Sequence, residues 1–185
     1  MDEPLFSDAI LGCVLAGGGS TRFGSDKALA VLDGATLLDR AVAVLAAQCG
    51  DVVVAGREGG VPDWPEPGLG PLGGLAGALR LARERGLAAV LAIGVDSLNL
   101  PADLAAVLTP APACLAAQPV VGLWPVASLP VLGAILTGGE RRSMLHFAER
   151  CGARLVELEM PVANVNTRDD LARLAAVRGN LGGGG

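Results

Sequence analysis

Residues 10–29, ILGCVLAGGGSTRFGSDKAL, decide the fold of this chain. The first seven are apolar or glycine, which predicts a central β-strand buried on both faces. Three consecutive glycines follow, and glycine lets the backbone approach a bound ligand closely. In open parallel sheets, ligands lie at the carboxyl ends of the strands. The stretch therefore predicts an α/β fold with a binding loop directly after its first strand.

The rest of the chain supports this prediction. Helical spacing predicts helices at 36–48, 72–85 and 140–150. Pro101 is predicted to open a short helix, and a capping box at 167–170 is predicted to start a helix that ends at residue 177. Strands are predicted at 51–55, 87–95, 113–117, 120–124 and 154–158, and residues 57–71 are predicted as a loop. Strands that alternate with helices indicate a single three-layer domain, with a mostly parallel sheet between helices on both faces. We assign it to residues 1–181, followed by a flexible glycine tail at 182–185.

Composition limits the kinds of partner. The chain has 185 residues, of which 51% are hydrophobic and 3% aromatic, so its core must consist of Ala, Val and Leu. The net charge of -5 and pI of about 4.8 argue against a nucleic-acid partner, because such surfaces are usually basic. One small anionic ligand in a local positive pocket remains compatible with this charge.

A membrane partner is not expected either. Residues 104–139 contain no charge and are long enough to span a bilayer, but five prolines interrupt them, so we predict buried strands and loops there. The acidic N-terminus lacks the basic start of a signal peptide. The four cysteines are scattered without a CxxC pair, which favours reduced thiols and a cytoplasmic protein.

The glycine loop matches neither standard phosphate motif. The spacing G-x-G-x-x-G is absent, and the P-loop pattern fails because Ser25, rather than lysine, follows Gly24. The residue types still suit a phosphate cradle: glycine N–H groups, the forked donors of Arg22, and Lys27, the only lysine of the chain. The alternative is a glycine turn with two solvated basic residues. Asp96 follows the 87–95 strand at the same sheet edge, where it either binds a metal or caps a turn.

LAGGGSTRFGSDKAL at 15–29 resembles the signature of the molybdenum cofactor guanylyltransferases. Similarity to this family continues over about residues 10–177, through Asp63 with GPLGGL at 70–75, IGVDSLNLP at 93–101, QPVVGLWP at 118–125, GERRSM at 139–144 and NVNTRDDL at 164–171. The resemblance implies a Rossmann-like nucleotidyltransferase fold. It also implies transfer of GMP from GTP to the phosphate of molybdopterin, with or without molybdenum, and release of pyrophosphate.

The family's site residues carry over by position. The resemblance implies nucleotide binding by Leu15, Ala16, Gly17, Gly18, Lys27, Asp63 and Asp96. It implies catalytic roles for Lys27 and Asp96, with Asp96 holding Mg²⁺, the implied cofactor. The forked positive charge of Arg22 suits it to a catalytic role as well, beside Lys27 at the departing pyrophosphate. Asn164 and Asn166 would lie on the pterin side. GTP and molybdopterin or the molybdenum cofactor are the implied ligands, and other cofactor-maturation proteins are further candidate partners.

Some positions depart from the family pattern and keep alternatives open. Ser97, Leu98 and Asn99 stand where the family usually has Thr-Pro-Phe, Ala55 replaces an Asn that touches the nucleotide, and Arg168 replaces a proline. The alternatives are a related cytidylyltransferase and a catalytically inactive nucleotide-binding regulator. A sugar nucleotidyltransferase usually needs a longer chain. Asp63 can also be an exposed loop acid, and Asn164 and Asn166 can be turn formers.

Overall fold

The computed structural model describes residues 6–17, 26–139, 141–160, 162–165, 167, 169, 170 and 173. Within these residues the strands are β1 (Ile10–Leu15), β2 (Val31–Leu32), β3 (Ala35–Thr36), β4 (Asp51–Ala55), β5 (Ala89–Gly94), β6 (Ser97–Leu98), β7 (Ala113–Leu115), β8 (Gly122–Pro125), β9 (Arg154–Val156) and β10 (Ala163–Asn164). The α-helices are α1 (Leu37–Ala46), α2 (Gly70–Glu84), α3 (Leu104–Val107), α4 (Leu129–Thr137) and α5 (Met144–Cys151). Short 3₁₀ turns lie at Phe6–Ala9, Lys27–Leu29 and Val126–Ser128.

Six strands form the central sheet, in the order β4-β1-β5-β8-β7-β9. All neighbouring pairs are parallel except those of β8, which runs antiparallel to both β5 and β7. Two small antiparallel ribbons, β2–β3 and β6–β10, lie outside this sheet. The prediction of a mostly parallel sheet with helices on both faces is confirmed, and β1 lies between two parallel neighbours as its apolar run requires.

The alternation of side chains along β1 separates two cores. Ile10 and Val14 point into one core, which contains buried residues of α1 and α3. Leu11, Cys13 and Leu15 point into the other, which contains buried residues of α2, α4 and α5. Because successive strand residues face opposite sides, a strand buried on both faces must be apolar throughout. The two cores hold β1 rigidly, and its carboxyl end carries the glycine loop.

The prediction for residues 104–139 was wrong in part. Besides the predicted strands and α3, the short helix predicted after Pro101, this uncharged stretch contains a helix that was not predicted, α4. Pro130 lies in the first turn of α4, where a missing N–H breaks no helical hydrogen bond, so its presence does not exclude a helix. Both cores require apolar cover, and α4 is apolar because it packs between α2 and α5. In the described part of the chain, no helix is both long and apolar enough to cross a bilayer.

Two predicted helix starts also needed correction. Pro101 precedes α3 rather than opening it, and its carbonyl oxygen accepts a hydrogen bond from the N–H of Leu104 at 3.3 Å. Helix α5 begins at Met144, because the side chain of Ser143 caps it by accepting from the N–H of His146 at 3.1 Å. Around residue 140 only the flanking positions are described. Hydrogen bonds between Thr167 and Asp170 confirm the capping box predicted at 167–170.

The cysteines are free thiols, as the sequence predicted. Cys13 lies on β1 and is fully buried, and burial raises the pKa of its thiol to about 12. At neutral pH this thiol is protonated and unreactive. Cys13 is therefore a packing residue, although it lies only two residues before the end of β1.

Candidate functional site

The carboxyl ends of β4, β1 and β5 lie side by side and form the base of the site. The N–H of Ala16 donates to the carbonyl oxygen of Ala55 at 3.0 Å, and the N–H of Val95 donates to that of Leu15 at 3.2 Å. These bonds continue the sheet one residue beyond each strand. Leu15 and Ala16, both predicted to contact the nucleotide, are thereby fixed at the sheet edge where open α/β sheets bind ligands.

A close backbone contact fixes the start of the glycine loop. A Cβ at Gly17 would lie 2.8 Å from the Cα of Gly56, and a Cβ at Gly56 would lie 2.3 Å from the Cα of Gly17. Gly56 also has a φ of +81°, which favours glycine. Glycine is therefore required at both positions, and the chain leaving β1 presses against the chain leaving β4.

Lys27 and Asp96 meet at this edge. The Lys27 Nζ donates to the Asp96 Oδ2 at 2.7 Å, and their side chains are only 14% and 26% exposed. Lys27 begins the 3₁₀ turn Lys27–Leu29, whereas Asp96 lies two residues after β5. Lys27 and Asp96 were predicted as site residues on separate grounds. They lie 69 positions apart in the sequence and form one ion pair in the structure.

Gly94, the last residue of β5, makes room for the Asp96 carboxylate. A Cβ at Gly94 would lie 2.8 Å from the Asp96 Oδ1 and 3.3 Å from the Ser97 Oγ. A side chain there would push the carboxylate away from its present position. In the sequence Gly94-Val95-Asp96, the aspartate supplies the carboxylate and the glycine leaves the space that the carboxylate occupies.

A buried polar network supports the other flank of Asp96. The Ser97 hydroxyl donates to the Gln118 Oε1 at 3.0 Å, and the Gln118 Nε2 donates to the carbonyl oxygen of Val162 at 3.3 Å. Strand β6 pairs with β10 so that Ser97 lies opposite Asn164, and the N–H of Val165 contacts the carbonyl oxygen of Asp96 at 3.4 Å. The backbone of Asn164 is therefore brought beside Asp96, on the side away from β1.

The departure from the family pattern at Asn99 has a local explanation. Asn99 has a φ of +60°, in the left-handed region that asparagine tolerates far better than bulky residues do. The turn after β6 thus uses a conformation that a phenylalanine would find costly. The turn does not displace Asp96, which still contacts Lys27.

A cavity of about 460 Å³ opens beside the glycine loop. Its volume falls within the range of small-molecule sites, roughly 300–1,000 Å³. Predicted nucleotide-binding residues lie in its described walls: Leu15, Gly17 and Asp63. The walls also include Ala55, so the position where the family usually has asparagine is apolar here.

Asp63 joins this cavity to the start of α2. Its Oδ2 accepts hydrogen bonds from the N–H groups of Gly68 and Leu69, both at 3.1 Å. A Cβ at Gly73 would lie 3.1 Å from both the Cβ and the Cγ of Asp63, and one at Gly77 would lie 2.2 Å from the carbonyl oxygen of Pro62. The glycines of α2 thus let the helix approach the loop that carries Asp63. Asp63 is a loop-fixing residue in this structure, as well as a wall of the cavity.

We expect Gly77→Ala to destabilise the protein. Alanine in place of an unhindered mid-helix glycine stabilises by up to about 1 kcal/mol. Here the new methyl group would collide with the Pro62 carbonyl, so we expect a net loss of about 1–3 kcal/mol. Thermal unfolding should show a Tm lower by about 2–10 °C.

Gly133→Ala is the control for that prediction. It adds the same methyl group to α4, where the nearest atoms are 3.2 and 3.3 Å away on the movable ring of Trp64. Its loss should be smaller than that of Gly77→Ala. A Gly77→Ala protein as stable as the wild type would show that the helix does not need this close approach.

Three predicted site residues lie outside the described part of the chain: Gly18, Arg22 and Asn166. The side chain of Asn164 also falls outside it. Among the described residues, no group of three or more His, Cys, Asp or Glu side chains is arranged to hold a metal ion. Asp96 is the described carboxylate at this sheet edge that the sequence predicted as a metal ligand.

Two charged residues of the site were missed from the sequence. Arg57 follows the Gly56 turn and forms a two-pronged ion pair with Asp26, Nη1 to Oδ1 at 2.9 Å and Nη2 to Oδ2 at 2.7 Å. The sequence places Arg57 in the predicted loop at 57–71 and gives no separate signal for Asp26, which lies beside Lys27. The available signal was position: Arg57 comes two residues after the end of β4, at the same edge as the glycine loop.

The chain matches known proteins along most of its length. The family model of the MobA-like NTP transferase domain matches residues 12–161. The molybdenum cofactor guanylyltransferase of Acidiphilium cryptum (strain JF-5) is 36% identical over 183 residues, covering 89% of this chain and 93% of that protein. The molybdenum cofactor guanylyltransferase of Rhodobacter capsulatus is 35% identical over 179 residues, covering 89% of this chain and 94% of that protein.

Solved structures share the architecture. Molybdopterin-guanine dinucleotide biosynthesis protein A from Archaeoglobus fulgidus aligns with a TM-score of 0.60 at 15% identity, covering 92% of this chain and 99% of that one. Rv0371c from Mycobacterium tuberculosis aligns with a TM-score of 0.59 at 18% identity, covering 92% of this chain and 98% of that one. At these identities the similarity shows the fold alone.

Proposed function

This chain belongs to the MobA-like NTP transferase family, and we propose that it transfers GMP from GTP to molybdopterin at the edge formed by β4, β1 and β5. The product is the guanine dinucleotide form of the cofactor, and pyrophosphate is released. The contact between the Lys27 Nζ and the Asp96 Oδ2, beside a nucleotide-sized cavity, is the observation that carries this assignment.

We assign different parts of GTP to the cavity and to the Lys27–Asp96 ion pair. We assign the nucleoside of GTP to the 460 Å³ cavity, between Leu15, Gly17 and Asp63. The phosphates would then run along the start of the glycine loop toward Lys27. Backbone N–H groups exposed by glycine and a compact ammonium are well suited to phosphate oxygens.

The charges suit the chemistry of nucleotidyl transfer. An oxygen of the acceptor phosphate attacks the α-phosphorus of GTP, and the bond from that phosphorus to the bridging oxygen of pyrophosphate breaks. Negative charge then grows on the departing pyrophosphate, and catalysis consists mainly of positioning and charge stabilisation. Lys27 supplies positive charge to that group, and we assign the guanidinium of Arg22 to assist it.

Asp96 fits a magnesium site. Mg²⁺ is commonly held by one or two protein carboxylates together with water and substrate phosphates, so the lack of a larger acidic cluster among the described residues does not count against it. The Asp96 carboxylate is partly exposed and is held at the sheet edge over Gly94. When bound, the metal would neutralise phosphate charge and orient the phosphates.

The acceptor would approach from the β6–β10 side. Strand pairing brings the backbone of Asn164 opposite Ser97, next to the acid that faces the nucleotide phosphates. We therefore retain Asn164, with Asn166, for the pterin side. We also propose a cytoplasmic location, because the free thiols of this chain, three of which are buried, suit a reducing compartment.

A thermal-shift panel with GTP, CTP, ATP and UTP, each with Mg²⁺, tests the nucleotide. A ligand at a hundred times its Kd stabilises the folded state by about 2.7 kcal/mol, or about 5–10 °C for a chain of this size. We expect a shift of that size with GTP alone. A larger shift with CTP would contradict guanylyl transfer and would direct attention to Ala55, the apolar wall position.

Product formation tests the reaction itself. Purified protein, Mg²⁺, molybdopterin and GTP labelled at the α-phosphorus should yield a labelled pterin dinucleotide and an equal amount of pyrophosphate. GTP binding without any release of pyrophosphate, in the presence of a competent acceptor, would contradict the enzymatic assignment and favour a nucleotide-binding regulator.

A further inference from the structure

Two consecutive residues of the site, Asp26 and Lys27, each form an ion pair. Asp26 pairs with Arg57 at the end of β4, whereas the next residue, Lys27, pairs with Asp96 at the end of β5. The two side chains thus reach to two different strands of the sheet. The short turn that carries Lys27 is therefore attached at both of its sides.

Asp26 acts on the backbone of this turn. It is the N-cap of the 3₁₀ turn Lys27–Leu29, and its Oδ1 accepts from the N–H of Ala28 at 3.1 Å. The carbonyl oxygen of Asp26 accepts from the N–H of Leu29 at 3.1 Å. The side chain of Ala28 is buried. Any displacement of the Asp26 carboxylate therefore changes the geometry from which the Lys27 side chain departs.

Arg57 is fixed on its own side. It directly follows Gly56, whose backbone is pressed against Gly17, and its carbonyl oxygen accepts from the N–H of Gly60 at 3.1 Å. Its guanidinium binds both oxygens of Asp26, an arrangement that fixes direction as well as distance. The same contact holds the pKa of the Asp26 carboxyl below its ordinary value, so this acid stays ionised at neutral pH.

We propose that Arg57 is a positioning residue for nucleotidyl transfer: by gripping Asp26 with both guanidinium nitrogens, it holds Lys27 where it meets Asp96 and the phosphates of GTP. We name the Arg57–Asp26 ion pair the clamp. The proposal rests on the proposed function only for its effect on turnover. The restraint of Lys27 by the clamp does not depend on the proposed function and is tested separately.

The main rival is direct binding. Arg57 lies in the wall of the 460 Å³ cavity, so its charge could contact the nucleotide itself. The two roles give different results when Asp26 is changed. If the clamp operates, loss of either partner has the same effect and loss of both adds little. If Arg57 binds GTP directly, Asp26→Asn frees the guanidinium and binding does not weaken.

The experiment uses the single lysine of the chain. Protein labelled with ¹³C-lysine gives one Hε–Cε lysine cross-peak, which reports on Lys27 without any activity assay. Arg57→Met removes the charged fork and keeps the apolar stem, and Asp26→Asn keeps an oxygen that can cap the turn. Arg85→Met is the matched control, because Arg85 pairs with Asp51 at the opposite end of β4.

We expect Arg57→Met and Asp26→Asn each to shift the lysine cross-peak and to lower kcat/KM for GTP about tenfold, mainly through kcat. The double variant should be no worse than either single variant, and Arg57→Met should have no further effect on turnover in a Lys27→Ala background. Arg57→Lys, which keeps the charge without the fork, should recover only part of the loss. Arg85→Met should change neither readout.

Other results would overturn the clamp. A lower kcat/KM with an unchanged lysine cross-peak would assign Arg57 to direct nucleotide binding. An unchanged cross-peak together with unchanged turnover would leave the ion pair without a role in the site. If Arg57→Met does not fold, the polar substitution Arg57→Gln, which leaves the Asp26 cap in place, should shift the cross-peak instead, and an unchanged cross-peak in that folded variant would count against the clamp. A wild-type protein that transfers no GMP would overturn the proposed function, while the cross-peak still decides the clamp.

Discussion

Asp96→Asn is expected to lower GMP transfer by at least about 10³-fold while leaving the protein folded. The substitution keeps the shape of the side chain and removes its charge. The Lys27 Nζ would then lose its ionic partner at 2.7 Å, and the proposed magnesium would lose its proposed carboxylate ligand. Because Gly94 leaves space for this group, the amide should fit in the same position.

The magnesium readout separates this role from a structural one. In the wild type, GTP should raise the Tm more with Mg²⁺ than with a chelator, whereas in Asp96→Asn the two shifts should be equal. Asp103→Asn, an exposed acid just before α3, is the control and should retain both the activity and the magnesium effect. Magnesium-dependent turnover at the wild-type level in Asp96→Asn would contradict the assignment of this residue.

The fold was largely predictable because apolar runs and glycines encode it directly. Residues 10–16 and 51–55 were predicted as buried strands, and the structure pairs them as β1 and β4. Burial is confirmed for β1, but it was wrong for β4, which is an edge strand with only Ala55 buried. Helix α4 escaped prediction because its exposed positions are Pro130, Ala134 and Thr137, so no charged face gives the helix a visible period. Its proline also suggested a loop, although Pro130 lies where a helix accepts it.

The site was predictable in part, for a different reason. Lys27 and Asp96 could be selected because each follows a recognisable strand end, and parallel strands bring such ends together. The clamp could not be predicted, because the pairing of Asp26 with Arg57 depends on side-chain directions across two loops. The close contact of Gly17 with Gly56 likewise depends on how far apart the strands lie, which the residue letters do not specify.

Lys27→Ala is expected to lower kcat/KM for GTP by about 10²–10³-fold, the usual effect of removing one donor that stabilises developing charge. The side chain is mostly buried, so its loss leaves Asp96 short of a hydrogen-bond partner and costs about 1–2 kcal/mol of stability. That corresponds to a Tm lower by about 2–8 °C, which leaves the protein folded at assay temperature. The catalytic loss should thus greatly exceed the loss of folding.

Lys27→Arg tests why a lysine stands here in a chain whose other strongly basic residues are all arginines. A guanidinium keeps the charge, but it is planar and wider than an ammonium, and it would have to fit where the Lys27 side chain is only 14% exposed. We expect Lys27→Arg to regain less than a tenth of the wild-type kcat/KM while still binding GTP measurably. Wild-type kcat/KM in Lys27→Arg would show that charge alone is needed at this position, and an unfolded Lys27→Ala protein would show that the ion pair with Asp96 serves folding rather than turnover.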